Sequence, residues 1–454
     1  MKSTKVNKST PLGGRVWSMI FLFGLIGQLA WVVENVYFST FIQKQITTDV
    51  RATSATVAAS AIVAAIATIL GGAMSDRVGK RRPFICYGYV IWGAITAAFA
   101  IFGNNAFSPE FDKIWLIVSI FVIMDCFMTF FGSVANDAAF SAWISDTTNI
   151  TNRGFVDTVL SIFPVVALIV VLVGFSAMTE AGNWTTFFLI IGGVTVIAGI
   201  VGIFVFRDSP TIVRDSARMS FKETMYGFLP STFKQNKMIY VCYLGMLFSG
   251  LSMQLWQPEM IMLIQYTIGL EDFVPPLVVV ILASATIAVI VGKLMDKYGK
   301  DKFFYPLVIS GFLGGLIVYS IKFFGASFGA RFALFCIGGT MVESASLLAA
   351  GLFTASARDY IPRGKSGRFQ GVKIIICVTM PMVISAIVSP LIVDGFGKIT
   401  EVDFGSYHAG DVVYPFELFL FAAIAALLMI IPAIFVKKNH KIFREEKLKE
   451  ISGQ

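Results

Sequence analysis

About twelve stretches of roughly 20 apolar residues follow one another along the 454-residue chain, each closed off by a polar segment. A run of that length matches the hydrocarbon thickness of a bilayer. In lipid the backbone N–H and C=O groups find no water, so each run has to satisfy them internally as a helix. Helices are expected near 17–41, 53–74, 84–103, 114–135, 155–177 and 185–206, and again near 239–263, 274–294, 303–321, 331–354, 374–393 and 415–436. The fold class is therefore all-α integral membrane. Composition agrees: 56% of residues are hydrophobic and 14% charged, against roughly 45 to 50% and about 25% in a soluble domain. Abundant glycine suits helices that pack closely in lipid, and abundant phenylalanine suits lipid-facing positions.

A formal charge of +8 suggests a nucleic-acid partner until the basic residues are located. Of the 36 Lys and Arg side chains, only Lys44, Arg51, Lys113, Lys322, Arg331 and Lys398 fall on one side of the expected spans. The rest cluster in the tails and loops of the other side, which by the positive-inside bias is the cytoplasm. Both termini are then cytoplasmic, the partner is the lipid bilayer, and no nucleic acid is expected. The longest polar segment, from Arg207 to Lys237, divides the spans into two sets of six. The expected organisation is a cytoplasmic tail at 1–16, a six-helix half at 17–206, a cytoplasmic linker at 207–238, a second half at 239–436 and a cytoplasmic tail at 437–454. The first apolar run is too long for a signal-peptide core and is expected to be retained.

The halves repeat. Glu34 in the first span answers to Glu259 in the seventh, and Asp125 in the fourth to Glu343 in the tenth, about 220 positions apart. After the second span stand Gly72, Asp76, Arg77, Gly79 and Lys80; after the eighth, at the same internal spacing, stand Gly292, Asp296, Lys297, Gly299 and Lys300. The glycines allow close helix contact. The aspartates suit charge-assisted hydrogen bonds or a helix N-terminus, a contact that one conformation makes and another breaks. Lys80, Arg81, Arg82 and Lys302 also read as simple topology anchors.

This doubled motif is identified with the major facilitator superfamily, and the resemblance covers essentially the whole chain. It implies two parallel-related six-helix halves with a solute site near the midplane between them. Within that superfamily, the run from Ser75 through Asp76, Arg77, Val78, Gly79, Lys80, Arg81, Arg82, Pro83 and Phe84 to Ile85 resembles the form found in glycoside-pentoside-hexuronide cation symporters and the sucrose-transporter-like group. The stretch Asn136–Trp143, with Asp146 and Arg153, is similar to that group's segment after the fourth helix, although Ala138 replaces its proline. A further departure concerns the cation. Melibiose-carrier-like members hold it with acidic residues on the second helix, and Ala55 to Leu70 here contains none, so a proton is expected in preference to sodium.

Charges inside a membrane are expensive and mark pathways or partners. Asp125 and Glu343 lie near the middle of their spans and are the candidate ion-coupling residues; Glu34 and Glu259 lie in the outer halves. Gln28, Trp31, Glu34 and Asn35 share a face of the first span, and Asp125, Thr129, Gly132 and Asn136 a face of the fourth, by three-, four- and seven-residue spacing. Sugars are held by aromatic plates together with amides and carboxylates. Gln28, Trp31, Glu34, Asn35, Gln254, Trp256 and Glu259 supply such a set, and are the candidate substrate-binding residues, although the tryptophans equally suit an interfacial belt. Pro258 is expected to break its helix beside Glu259.

Cys86, Cys126, Cys242, Cys336 and Cys377 all sit in apolar runs without metal spacing, and His408 and His440 are the only histidines. No phosphate loop, zinc motif or nucleophile signature appears, so no cofactor, metal or enzymatic reaction is expected. Uphill movement of solute then has to draw on an ion gradient. The reading is a monomeric secondary active transporter in the cytoplasmic membrane of a bacterium, taking up a sugar or glycoside with a proton. Its alternatives are an exporter of drug-like or lipid-like molecules and a solute sensor that moves nothing.

Overall fold

A computed structural model describes residues 12–103, 113–148, 153–208, 225–325, 327–361 and 366–439. Apart from one two-stranded ribbon, the regular structure is helical. In chain order the long helices are α1 (Gly14–Gln45), α2 (Val50–Val78), α3 (Arg82–Phe102), α4 (Ile114–Thr147), α5 (Arg153–Glu180) and α6 (Trp184–Val205). They continue with α7 (Lys237–Gln254), α8 (Val274–Tyr298), α9 (Phe304–Phe324), α10 (Phe328–Tyr360), α11 (Gly371–Phe396) and α12 (Glu417–Asn439). Among the described residues eleven are long and apolar enough to cross a membrane. The remaining one is α7: its expected span is interrupted by a turn over 255–259 before helix resumes at Met260–Met262. Pro258 sits in that turn, where it lacks an N–H to donate.

Several helices carry π-turns, at Val33–Tyr37 in α1, Ser133–Phe140 in α4, Leu263–Ile268 after α7 and Ile375–Thr379 in α11. Such widened turns frequently mark functional positions, because they redirect side chains out of the regular spiral. Large apolar side chains face outwards along the helices; Phe204 is 78% exposed and Leu391 65%. A continuous apolar exterior of this kind is stable against lipid and not against water.

The chain divides into two compact units, one of residues 1–47 and 62–219, the other of 48–61 and 220–454. The first is centred on a buried aromatic cluster of Phe38, Phe41, Phe99, Phe121, Trp184 and Phe188, with Phe38 and Phe99 centroids 4.5 Å apart. Helices α3 and α6 cross there at backbone contact. A Cβ on Gly93 would stand 2.5 Å from the Val196 nitrogen and 2.6 Å from the Gly192 oxygen. In the second unit the tight crossing joins α9 and α10, where a Cβ on Gly338 would stand 2.7 Å from the Gly314 oxygen. Small residues at a crossing are what lets helices gain van der Waals contact when lipid supplies no hydrophobic drive.

The second unit also includes the first turns of α2. Thr48 Oγ1 donates to Asp411 Oδ2 at 2.8 Å, Tyr414 donates to the Thr48 oxygen at 3.1 Å, and Arg51 pairs with Asp394 at 2.6 Å. Asp411 belongs to the segment between α11 and α12, which folds on itself: Lys398–Ile399 pairs antiparallel with Val412–Val413. Tyr266, in the π-turn that follows α7, packs on Phe404 and Tyr407 of that segment.

Gly93→Ala should lower stability by about 2 kcal/mol, because a methyl group there meets backbone that cannot rotate away. Thermal unfolding in detergent micelles measures this, and an unchanged midpoint would mean that α3 and α6 separate easily.

Candidate functional site

The doubled motif sits at the ends of α2 and α8. Gly79 and Gly299 follow the last residue of each helix with φ of +68° and +89°. These positions terminate the helices in a conformation that side chains with a Cβ adopt at a cost. The close helix contact expected at Gly72 and Gly292 is not made, since a Cβ at either would meet nothing within 4 Å. Arg77 and Lys80 are exposed. Arg81, which also reads as a topology anchor, is the centre of this end of the first unit. Its side chain is 7% exposed; its Nε bonds Asp146 at 3.1 Å, its Nη1 donates to Ser75 Oγ at 2.6 Å, and its Nη2 pairs with Asp76. Asp208 accepts from the backbone nitrogens of Arg81 and Arg82 at 2.8 Å each.

Arg82 in turn donates to the Ile203 oxygen, and Arg15 to the Val205 oxygen at 2.9 Å. Two of the basic residues thus cap the C-terminal carbonyls of α6, where the helix dipole favours cations. The second copy of the motif is built differently. Position 301 is Asp, and it is Lys300 that pairs with Asp359 near the end of α10. Lys297 is exposed, and the Asp296 side chain lies outside the described residues.

The carboxylates of the first unit come together. Glu34 lies in the π-turn of α1 and Asp125 on α4 is fully buried. Between them Thr129, also fully buried, donates to Glu34 Oε1 at 2.9 Å and stands 3.5 Å from Asp125 Oδ1. The second oxygen of each carboxylate is enclosed without a hydrogen-bond partner, and no ion pair among the described residues involves either acid. Trp31 packs at 4.9 Å on buried Trp92, so it belongs to the interior of the unit and not to an interfacial belt. Asn35 is exposed, its amide donating to the Trp31 oxygen at 2.8 Å.

Toward the N-terminus of α1 and the C-terminus of α4 lies a cavity of about 310 Å³, at the lower end of the range for small-molecule sites. Gln28, Asn136, Ser141 and Ser145 supply its polar groups, and Phe140 and Phe163 its aromatic walls. Asn136 is fixed by donating to the Tyr89 hydroxyl at 2.5 Å, and Tyr89 donates to the Phe23 oxygen at 2.5 Å. Among the described residues no charged side chain lines this cavity.

In the second unit Glu259 is 3% exposed and accepts from Thr53 at 2.5 Å. Its other oxygen is buried beside Tyr414, whose hydroxyl is engaged with Thr48. Gln254, Pro258 and Glu259 border a space of about 10 Å³ with Ser54, Ser385 and Ser389, room for about one water. Trp256 is 5% exposed and packs on Phe419, which withdraws its face from any ligand. Glu343 lies mid-way along α10, partly buried, and makes no hydrogen bond or ion pair among the described residues. From the sequence, Arg81 and Ser141 stood only within family-like runs, and neither Thr53 nor Ser145 was singled out, being short polar side chains of a kind frequent in ordinary helix ends.

The sequence pattern of the Major Facilitator Superfamily matches residues 17–373. No curated protein sequence matches the chain. Solved structures similar to it include a bacterial homolog of the human lysosomal transporter Spinster, inward-facing and unoccupied. That pair shares 13% identity over 96% of this chain and 99% of the other, with a TM-score of 0.65. A variant of the nucleoside transporter NupG shares 11% identity over 93% and 99%, at 0.66, and a D-xylose-proton symporter 14% over 93% and 96%, at 0.66. Identities this low speak for a common fold and not for a common solute.

Arg81→Ala should destabilise the protein by about 3 kcal/mol, because it leaves Asp146 and Asp76 without their buried partner. Lys80→Ala should stay within about 0.5 kcal/mol, as exposed substitutions do. Chemical denaturation in micelles compares the two; equal losses would remove Arg81 from its central place.

Proposed function

The chain belongs to the major facilitator superfamily, which makes it a multi-pass membrane transporter and not an enzyme, and we propose that it takes up a sugar or glycoside together with a proton. In this reading it is a monomer of the glycoside-pentoside-hexuronide or sucrose-transporter-like kind, placed in a bacterial cytoplasmic membrane. Residues 17–206 and 239–436 are the halves that rock in alternating access, 207–238 is the cytoplasmic linker, and both tails are cytoplasmic.

One observation carries the proposal. Along the same two helices, α1 and α4, a cavity of amides, hydroxyls and aromatic rings is followed by two enclosed carboxylates, and among the described residues no charged side chain lines the first and no basic side chain pairs with the second. A neutral polyhydroxylated solute matches the first, since its hydroxyls both donate and accept and its ring faces stack on aromatics. A proton matches the second, because a carboxylate in lipid without a cationic partner is compensated most cheaply by protonation. Gln28 and Asn136 then hold solute, Trp31 shapes the wall behind Glu34, and Asp125 carries the proton. Gln254, Glu259 and Glu343 are the corresponding groups of the second half. Of these, Glu343 makes no hydrogen bond or ion pair among the described residues, and Glu259 is held in a hydrogen bond.

Proteoliposomes with a pH electrode test the reading. Adding the transported glycoside should alkalinise the medium in the parent, and Asp125→Asn should abolish that signal while leaving solute binding within about threefold. Glu343→Gln should lower it less. A parent that moves solute without protons would point to sodium coupling or facilitated diffusion, and one that moves only amphiphiles would point to export.

A further inference from the structure

The helical threonines of this chain mostly spend their hydroxyls on the carbonyl one turn back. Thr40 donates to Val36, Thr56 to Ala52, Thr68 to Ala64, Thr96 to Trp92 and Thr195 to Ile191, all between 2.8 and 3.1 Å. That habit costs a helix little and is the default for a threonine in lipid. Thr129 departs from it. Fully buried in α4, it turns its hydroxyl to Glu34 at 2.9 Å and lies 3.5 Å from Asp125, the residue one turn back on its own helix.

A threonine hydroxyl has one hydrogen and two lone pairs. It can donate to one of the two carboxylates, and can then satisfy the other only by accepting a hydrogen from it. Were both acids ionised, one of them would face an oxygen with nothing to offer, with no cationic side chain beside the pair among the described residues and with both second oxygens already enclosed without partners. The remaining titratable groups near the pair are Cys126 and Asp137, both on α4. Neither brings a positive charge.

We infer that Thr129 is a positioning residue that joins Glu34 and Asp125 into one acid pair holding a single shared proton, so that both carboxylates, and not Asp125 alone, load and release it. The transfer balances without charging the threonine. Starting with the proton on Asp125, the carboxylic O–H bond breaks and its hydrogen bonds to Thr129 Oγ1. At the same time the original Thr129 hydrogen passes to Glu34 Oε1. Threonine remains a neutral hydroxyl, Asp125 becomes the carboxylate and Glu34 the acid, and the hydrogen-bond direction is reversed. Glu34 lies in a π-turn, a local widening of α1 that brings a side chain of α1 to a hydroxyl of α4. This inference rests on the transport reading for its purpose but not for its test.

Infrared difference spectroscopy on the full-length protein in proteoliposomes, in H₂O and D₂O, counts protonated carboxyl groups without any solute. Glu34→Gln and Asp125→Asn should each alter the same single carbonyl band. Thr129→Val should displace that band, and Thr129→Ser should restore it, since serine keeps the hydroxyl. Two independent bands, no band, or a spectrum indifferent to Thr129→Val would each overturn the shared proton. Should Thr129→Val fail to fold, the Glu34→Gln and Asp125→Asn comparison decides alone. In the transport assay, Thr129→Val should slow solute-driven proton movement by about tenfold or more, and Thr129→Ser by much less. A shared band in a protein that never couples solute to protons would refute the transport reading and leave the pair standing. Coupled transport with separate bands would refute the pair.

Discussion

A polar group inside a bilayer has no water to turn to, so every one has to be answered by another part of the chain or remain a source of instability. Much of what is seen in both units follows from that demand. Threonines fold back onto carbonyls, arginines cover the open end of α6, and Arg81 is surrounded by two carboxylates and a hydroxyl. Against this background of answered groups, the few left unanswered stand out. Glu34 and Asp125 each keep an enclosed, unpartnered oxygen, and natural chains tolerate such a cost where chemistry requires it.

The two halves answer the same structural need with different residues. In the first, a buried guanidinium gathers Asp76, Asp146 and Ser75; in the second, a more exposed ammonium pairs with Asp359. A planar fork with five donors can serve several acceptors at once, whereas a lysine acts as a point charge. The repeat has thus kept an ion pair at the same end of each half while changing the cation that makes it.

The architecture was legible because lipid makes the rule simple: a long apolar run is a helix, and Pro258 interrupts one. Family membership was legible because the doubled motif has fixed spacing. Its physical role was less so. The motif glycines at 79 and 299 end helices through their backbone angles, while those at 72 and 292 touch nothing. The sequence pattern does not separate these two uses. Helical spacing likewise put Asp125 and Thr129 on one face of α4, but the partner of that face lies on α1, 95 positions away. Periodicity tells which way a side chain points and says nothing about what it meets. Trp31 and Trp256 show the same gap, being equally plausible as ligand plates or membrane anchors until Trp92 and Phe419 are found against them.

Helix α2 has a property that neither unit shares. It is 29 residues long without interruption, yet its first turns are fastened to one unit through Thr48, Arg51 and Thr53, while the remainder is counted with the other. An α-helix is stiff over this length, and sharp bends in one arise where a proline, a glycine and serine pair or a π-turn loosens the hydrogen-bond ladder. The stretch Ala55–Leu70, across which the ownership changes, has only alanines, branched aliphatics, threonines and a single serine. Such a helix is a stiff rod from end to end, so whatever tilts its leading turns tilts Gly79 beyond its far end through the same angle, and the ties of Thr48, Arg51 and Thr53 aim the whole motif-bearing end.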